Sequence, residues 1–325
     1  MKRAALIALA ACAWAPLAQA AAPAQVNFPE RPIRLVLGFA PGGTSDTIAR
    51  IIVPKFHEML GKPWVIDNRG GAAGNIGAEI VARATPDGHT ILFALGSQIT
   101  VNPLIYKLAF SVEKDLQPVN RFTDSQYMLV THATLKLGTL KEFVEYAKAQ
   151  KGALNYASAG AGSPHHLAAE LFKLRAGIGM THVPYKGGGP ASAAILGNEV
   201  HALFGSLASL HPHVKSGRIK ALGMTGLKRS TQAPEVPTIA ESGYPGFDVT
   251  SWLGFFVPAG TPRHITKIIF DTTARTLAIP EIRTPVERAG VEIVNMDADQ
   301  LAAHIRAETR VWAELLKRVN LGKVD

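Results

Sequence analysis

The chain has 325 residues, of which 47% are hydrophobic, 18% charged and 7% aromatic, with 34 Lys+Arg against 25 Asp+Glu for a formal net charge of +9. That apolar fraction excludes a disordered chain, and the length accommodates two domains of ordinary size. A single cysteine excludes an internal disulfide, a four-cysteine zinc site and an iron–sulfur cluster.

Lys2 and Arg3, the apolar run 4–17 and the small-x-small site Ala18-Gln19-Ala20 form a secretory signal peptide over residues 1–20. The run is too short to span a bilayer. Leu9-Ala10-Ala11-Cys12 also fits a lipoprotein cleavage box, with Cys12 as lipid anchor. The apolar stretch before Cys12 is well below the usual length of a signal-peptide core, so simple export to the periplasm is expected. Cleavage after Ala20 removes the only cysteine.

Beyond a leader over 21–30, apolar runs of strand length alternate with helical patterns, the signature of an α/β fold with mainly parallel sheets. Strands are predicted at 33–39, 64–66 and 90–94, and a helix at 46–60. A second series holds strands at 127–130, 155–157, 180–183, 200–204 and 219–224, with helices at 139–150 and 164–175. An extended segment at 247–257 leads into a helical C-terminus whose longest helix covers 298–319. The organisation predicts a first lobe of residues 31–125 plus 248–325, with the last helices packing on it, and a second lobe of residues 126–247.

Two strand–loop–helix units echo each other. One is Phe39-Ala40-Pro41-Gly42-Gly43-Thr44-Ser45-Asp46; the other is Tyr156-Ala157-Ser158-Ala159-Gly160-Ala161-Gly162-Ser163-Pro164-His165-His166. Glycine lets backbone N–H groups approach a ligand closely, and a helix start offers unpaired donors with a partial positive charge. Ligands of open α/β sheets bind beyond the carboxyl ends of the strands, where both loops fall. A pair of such loops, one per lobe, can grip an acidic ligand; either alone is also an ordinary tight turn. Asp46 is open to two readings, a catalytic carboxylate or a helix N-cap, and its place at a helix start favours the cap. Lys186, in the loop 184–190, either adds charge near the cleft or is a solvated lysine. The glycine-rich stretch 68–77 is read as structural, with Asn75 capping the next helix.

Six histidines, His165, His166, His182, His201, His211 and His213, fall in the second lobe, but no His-x-x-x-His pair accompanies a glutamate. His166 stands out for its place at a helix start. Nucleophile-elbow, Walker and Rossmann signatures are absent. Basic residues are dispersed, with Lys215, Arg218, Lys220, Lys228 and Arg229 the one loose cluster and no aromatic stripe beside it, so nucleic acid is not the expected partner.

Six segments in order resemble the periplasmic receptors of tripartite tricarboxylate transporters, the TctC or Bug family. They are Phe39-x-Pro41-Gly42-Gly43-x-x-Asp46; Asn68-Arg69 through Gly74-Asn75-Ile76-Gly77; Tyr156-Ala157-Ser158 through Gly162-Ser163 to His166; Val183-Pro184-Tyr185-Lys186-Gly187; Pro234-Glu235-Val236-Pro237-Thr238; and Ser251-Trp252-x-Gly254 running to Pro262. The resemblance covers essentially the mature chain. It implies a two-lobed periplasmic binding protein of Venus-flytrap, type II-like form, with ligand in the interlobe cleft. It also implies a non-enzymatic receptor for a small organic acid anion, a di- or tricarboxylate or an aromatic carboxylate, without cofactor or metal. The partners it implies are the membrane permease subunits of a tripartite transporter, or a sensor kinase, with the receptor itself a monomer.

The site residues carried over are Ala40, Pro41, Gly42, Gly43, Thr44, Ser45, Asp46, Ser158, Ala159, Gly160, Ala161, Gly162, Ser163 and His166. Where the family often carries Phe-Asp-Ser, this chain has Phe204-Gly205-Ser206, which adds Gly205 and Ser206 to the candidates and removes an acidic group. Its absence points to a ligand without an ammonium group. The competing class is an exported hydrolase or metal-dependent enzyme using Asp46, Ser163 and His166.

Overall fold

The computed structural model describes residues 28–319 apart from Ala40 and Lys186. The expected signal peptide, Cys12 and those two loop residues therefore lie outside the described residues.

The first half of the chain builds β1 (Ile33–Leu37), α1 (Thr44–Leu60), β2 (Trp64–Asn68), α2 (Asn75–Ala82) and β3 (Thr90–Leu95). Three short helices follow, α3 (Gly96–Thr100), α4 (Asn102–Ile105) and α5 (Val112–Asp115). In β1, Ile33, Leu35, Val36 and Leu37 are all fully buried, as a parallel strand covered on both faces requires. In α1 the buried stripe Ile48, Ala49, Ile52 and Phe56 faces the sheet, and Gly61 closes the helix in the left-handed region at φ 68°.

A 17-residue strand, β4 (Leu116–His132), then crosses into the second half. There follow α6 (Leu140–Ala149), β5 (Asn155–Ser158), α7 (Pro164–Ala176), β6 (Thr181–Pro184), α8 (Gly188–Leu196), β7 (Ala202–Ser206), α9 (Leu207–Lys215) and β8 (Ile219–Met224). The chain returns through β9 (Thr250–Pro258) and ends in α10 (Arg263–Leu277), α11 (Pro280–Arg288), β10 (Glu292–Met296) and α12 (Ala298–Val319).

The strand order is β2-β1-β3-β9-β4-β7-β5-β6, with β10 and β8 also on β4. Each half contains one parallel triplet, β2-β1-β3 and β6-β5-β7. Each triplet is joined to its neighbours by antiparallel pairing, to β9 in the first half and to β4 in the second. Strand β4 was legible only at 127–130. Its first half carries Gln117, Pro118, Asn120 and Arg121, and its register with β9 shifts between Pro118 and Asn120 and again between Arg121 and Thr123, so the two-residue alternation is broken.

Four clusters of core side chains form among the described residues, two in each half. In the larger of each pair, Ile33, Leu35, Ile48, Phe56, Phe93, Phe255 and Ile269 pack in the first half, and Phe143, Tyr156, Phe172, Phe204 and Phe247 in the second. Helices α10 and α11 contribute Ile269, Leu277 and Val286 to the first-half core. Helix α12 departs from the expectation that the last helices pack on the first lobe. Its Leu301 lies in a first-half cluster, while Trp312 and Leu315 lie in the second-half core. Its apolar stripe continues past the end of the first sheet and needs a second surface to cover it. Among the described residues no helix is long and apolar enough to cross a membrane.

Gly254 sits where β9 meets the irregular part of β4, and a Cβ there would come within 2.3 Å of the Asn120 carbonyl oxygen. Replacing Gly254 with Ala is expected to cost about 1–3 kcal/mol through forced backbone movement; the midpoint of denaturant unfolding measures it.

Candidate functional site

Strand direction aims the two parallel triplets, each carrying one glycine loop at a carboxyl end, toward each other. Strands β3 and β4 are both antiparallel to β9 and so run the same way; β7 runs antiparallel to β4. The carboxyl ends of the first triplet therefore point toward the second half, and those of the second triplet point back. Leu95, at the end of β3, is level with Leu253 and hence Thr123, while Ser206, at the end of β7, is level with Tyr127. Four residue steps of β4 separate those levels, an axial gap of about 13 Å between the ends of β3 and β7 at the rise of a strand.

In the first loop Pro41, Gly42 and Gly43 are exposed. Gly42 adopts φ 90°, and its amide donates to Asp46 Oδ2 at 3.0 Å. Arg50 donates to both oxygens of Asp46, at 2.9 and 3.1 Å, and together with the Gly42 amide holds its carboxyl below the usual carboxylate range despite burial. The N-cap of α1 is Gly43, not Asp46, and the cap has no side chain. Asp46 is a third-position residue reaching backward. Without a side-chain cap, the first-turn amides of α1 keep their donors for another acceptor. The hydroxyls of Thr44 and Ser45 beside them have no hydrogen-bond partner among the described residues.

The second loop is closed more tightly. Ser163 is the N-cap of α7 and its hydroxyl accepts from the His166 amide at 3.4 Å, while Pro164 supplies no N–H. Gly162, at φ 74°, donates its amide to His166 Nδ1 at 3.0 Å. Gly160, at φ 124°, donates to Ser158 Oγ at 3.0 Å, and that hydroxyl lies 2.6 Å from His182 Nε2. The His166 and His182 rings stack with centroids 4.0 Å apart. Ala161 is the exposed tip of this loop, next to half-buried Ala159.

Residues not singled out in the sequence join the loops. Gln98 of α3 accepts from the Leu95 amide at 2.7 Å and donates to the Gly74 carbonyl at 2.9 Å. The space beside Gly38 is filled by that Gln98 amide and by Gly74. Asn102 donates to the Ala73 carbonyl at 3.0 Å and to Asn75 Oδ1 at 2.6 Å, so Asn75 is an acceptor for Asn102, and the N-cap of α2 is Gly74. These two amides hold Ala72 and Ala73 in the left-handed region, at φ 47° and 53°, which costs roughly 1–2 kcal/mol each. At the far end of α4, Ile105 and Tyr106 pack on Gly162. A side-chain amide three residues beyond a strand end was the one available signal, for Gln98.

The remaining candidates serve packing. A Cβ on Gly205 would fall 2.5 Å from Leu210 and 3.2 Å from Leu203, so that face of β7 turns into the core and not toward the gap. Ser206 caps α9. Asp46, Ser163 and His166 are each bound to their own helix start, and Ser163 meets the His166 amide, not its ring; the hydrolase reading has no support in this geometry.

Residues 48–321 match the model of the tripartite tricarboxylate transporter family receptor. The chain belongs to that family. Three solved structures share its fold and covers of similar extent. Rpa4515 of R. palustris with adipate has a TM-score of 0.84 at 31% identity, covering 90% of this chain and 98% of that one. The periplasmic binding protein BugD has 0.82 at 32%, covering 91% and 100%. MatC of Rhodopseudomonas palustris with bound malate has 0.81 at 31%, covering 89% and 100%.

Burial holds both His165 and His166 at about 4, the latter also through His182, and lowers His182. The fold therefore favours their neutral forms. That stabilisation is complete above the unfolded value near 6.5 and is lost as pH falls toward 4, on the order of 3 kcal/mol for each of the two buried rings. Thermal melts from pH 7 to 4 should show the loss, and His165→Phe should lessen it.

Proposed function

We propose that this receptor is exported to the periplasm by its signal peptide and closes its two lobes, residues 31–125 with 248–325 and residues 126–247, on a small organic acid anion. It then presents that anion to the permease subunits of a tripartite tricarboxylate transporter. The observation that carries this reading is the uncapped start of α1, whose free amide donors stand beside a neutralised Asp46. Adipate and malate in the related structures place the ligand class among carboxylates. Contacts from the ligand to both lobes must outweigh the freedom lost on closure.

Thermal-shift titration against adipate, malate, citrate, benzoate, aspartate and glutamate tests the reading. At a hundredfold excess over its Kd a bound acid adds about 2.7 kcal/mol of stability. At least one of these acids should stabilise the protein; no response to any acid overturns the proposal. Gly43→Val should leave the melt unchanged, since a Cβ there meets nothing within 4 Å, yet abolish the ligand-induced shift by covering the open amides.

A further inference from the structure

Both loops are braced by one device built from two chemistries. Gly42 donates its amide to Asp46 and Gly162 donates its amide to His166, each at 3.0 Å and each across four residues. Each acceptor stands three residues beyond its helix cap, Gly43 or Ser163. The position four residues further on differs in sign. In α1 it is Arg50, which pairs with Asp46; in α7 it is Glu170, which is held by Lys173 and by the Tyr156 hydroxyl. A carboxylate at position 166 would have no cation of its own and would stand one helical turn from Glu170, a repelling pair. It would also add negative charge where an anion is to bind.

We propose that His166 is the positioning residue of the second loop: as a neutral imidazole protonated on Nε2, it holds the Gly162 amide so that the Ala161 amide is left for the ligand's carboxylate. Accepting a backbone N–H at Nδ1 requires that nitrogen to be bare, which fixes the tautomer. The stacked His182 holds the ring in place from β6, and through Ser158 the same ring pair reaches the Gly160 amide. Both left-handed glycines of the loop are thereby fixed, while Ala161 between them is exposed and its amide has no acceptor among the described residues. The titratable groups around the ring are His182, Glu170, Lys173 and the stacked Tyr156. This inference rests on the acid-receptor reading above.

Calorimetric Kd values are compared for wild type, His166→Asn, His166→Leu and His166→Asp, using whichever of adipate, malate, citrate or benzoate binds wild type most tightly. Asn carries an acceptor oxygen at the place of Nδ1. It should bind within about threefold of wild type, while Leu and Asp should lose tenfold or more with cooperative melts retained. Nitrogen-15 spectra of the wild type at pH 7 should show Nδ1 of His166 unprotonated, with or without ligand. Wild-type affinity in a folded His166→Leu, an Asn variant no better than Leu, full affinity in the Asp variant, or a protonated Nδ1 each overturns the proposal. If no acid binds wild type, the receptor reading itself has failed, and the tautomer measurement still decides the brace.

Discussion

Everything at the site depends on the pairing of β4 with two sets of strands. Its first half is hydrogen-bonded to β9 and its second half to β7 and β8, all antiparallel. That arrangement points two parallel triplets at each other and sets the distance between their ends. Loop sequence then acts on a gap whose size is already determined by strand geometry. Helix α12 reinforces the arrangement by lying in the cores of both halves, and its half-buried Glu308 accepts from the indoles of Trp252 and Trp312.

Within the gap, the chemistry is an accounting of backbone amides. Gly42, Gly160 and Gly162 spend their donors inside the loops, whereas the start of α1 and the tip at Ala161 do not. Most of the polar side chains that attracted notice in the sequence are therefore scaffolding. Asp46, Ser158, Ser163 and His166 shape the loops and leave glycine-flanked amides unpaired. This division explains how an acid receptor can keep a carboxylate in its first loop: Arg50 neutralises it, and its oxygens are occupied.

Much of this was legible in the residues. The alternation of strand and helix, the bounds of β8 and α12, the two echoing loops and the family were all readable, because apolar periodicity, glycine position and motif order are local properties. Gln98, Asn102, Ile105 and Tyr106 were not, since a buried amide that ties distant loops has the same local pattern as a surface one. The first half of β4 was hidden by its polar residues and register shifts. Gly205 was a site candidate in the sequence, yet its Cα faces Leu203 and Leu210, because the direction of a missing side chain depends on which face of β7 the core covers.

By itself the sequence determined the fold class and the positions at which backbone donors could be offered, because apolar periodicity, glycines and helix starts dictate local geometry. Only the tertiary structure decided which donors remain unpaired, that Asp46 and His166 are matched braces with opposite neighbours at Arg50 and Glu170, and that the two parallel triplets point toward each other. Those properties come from strand pairing and from contacts between residues far apart in the chain, and no local pattern of residues encodes them.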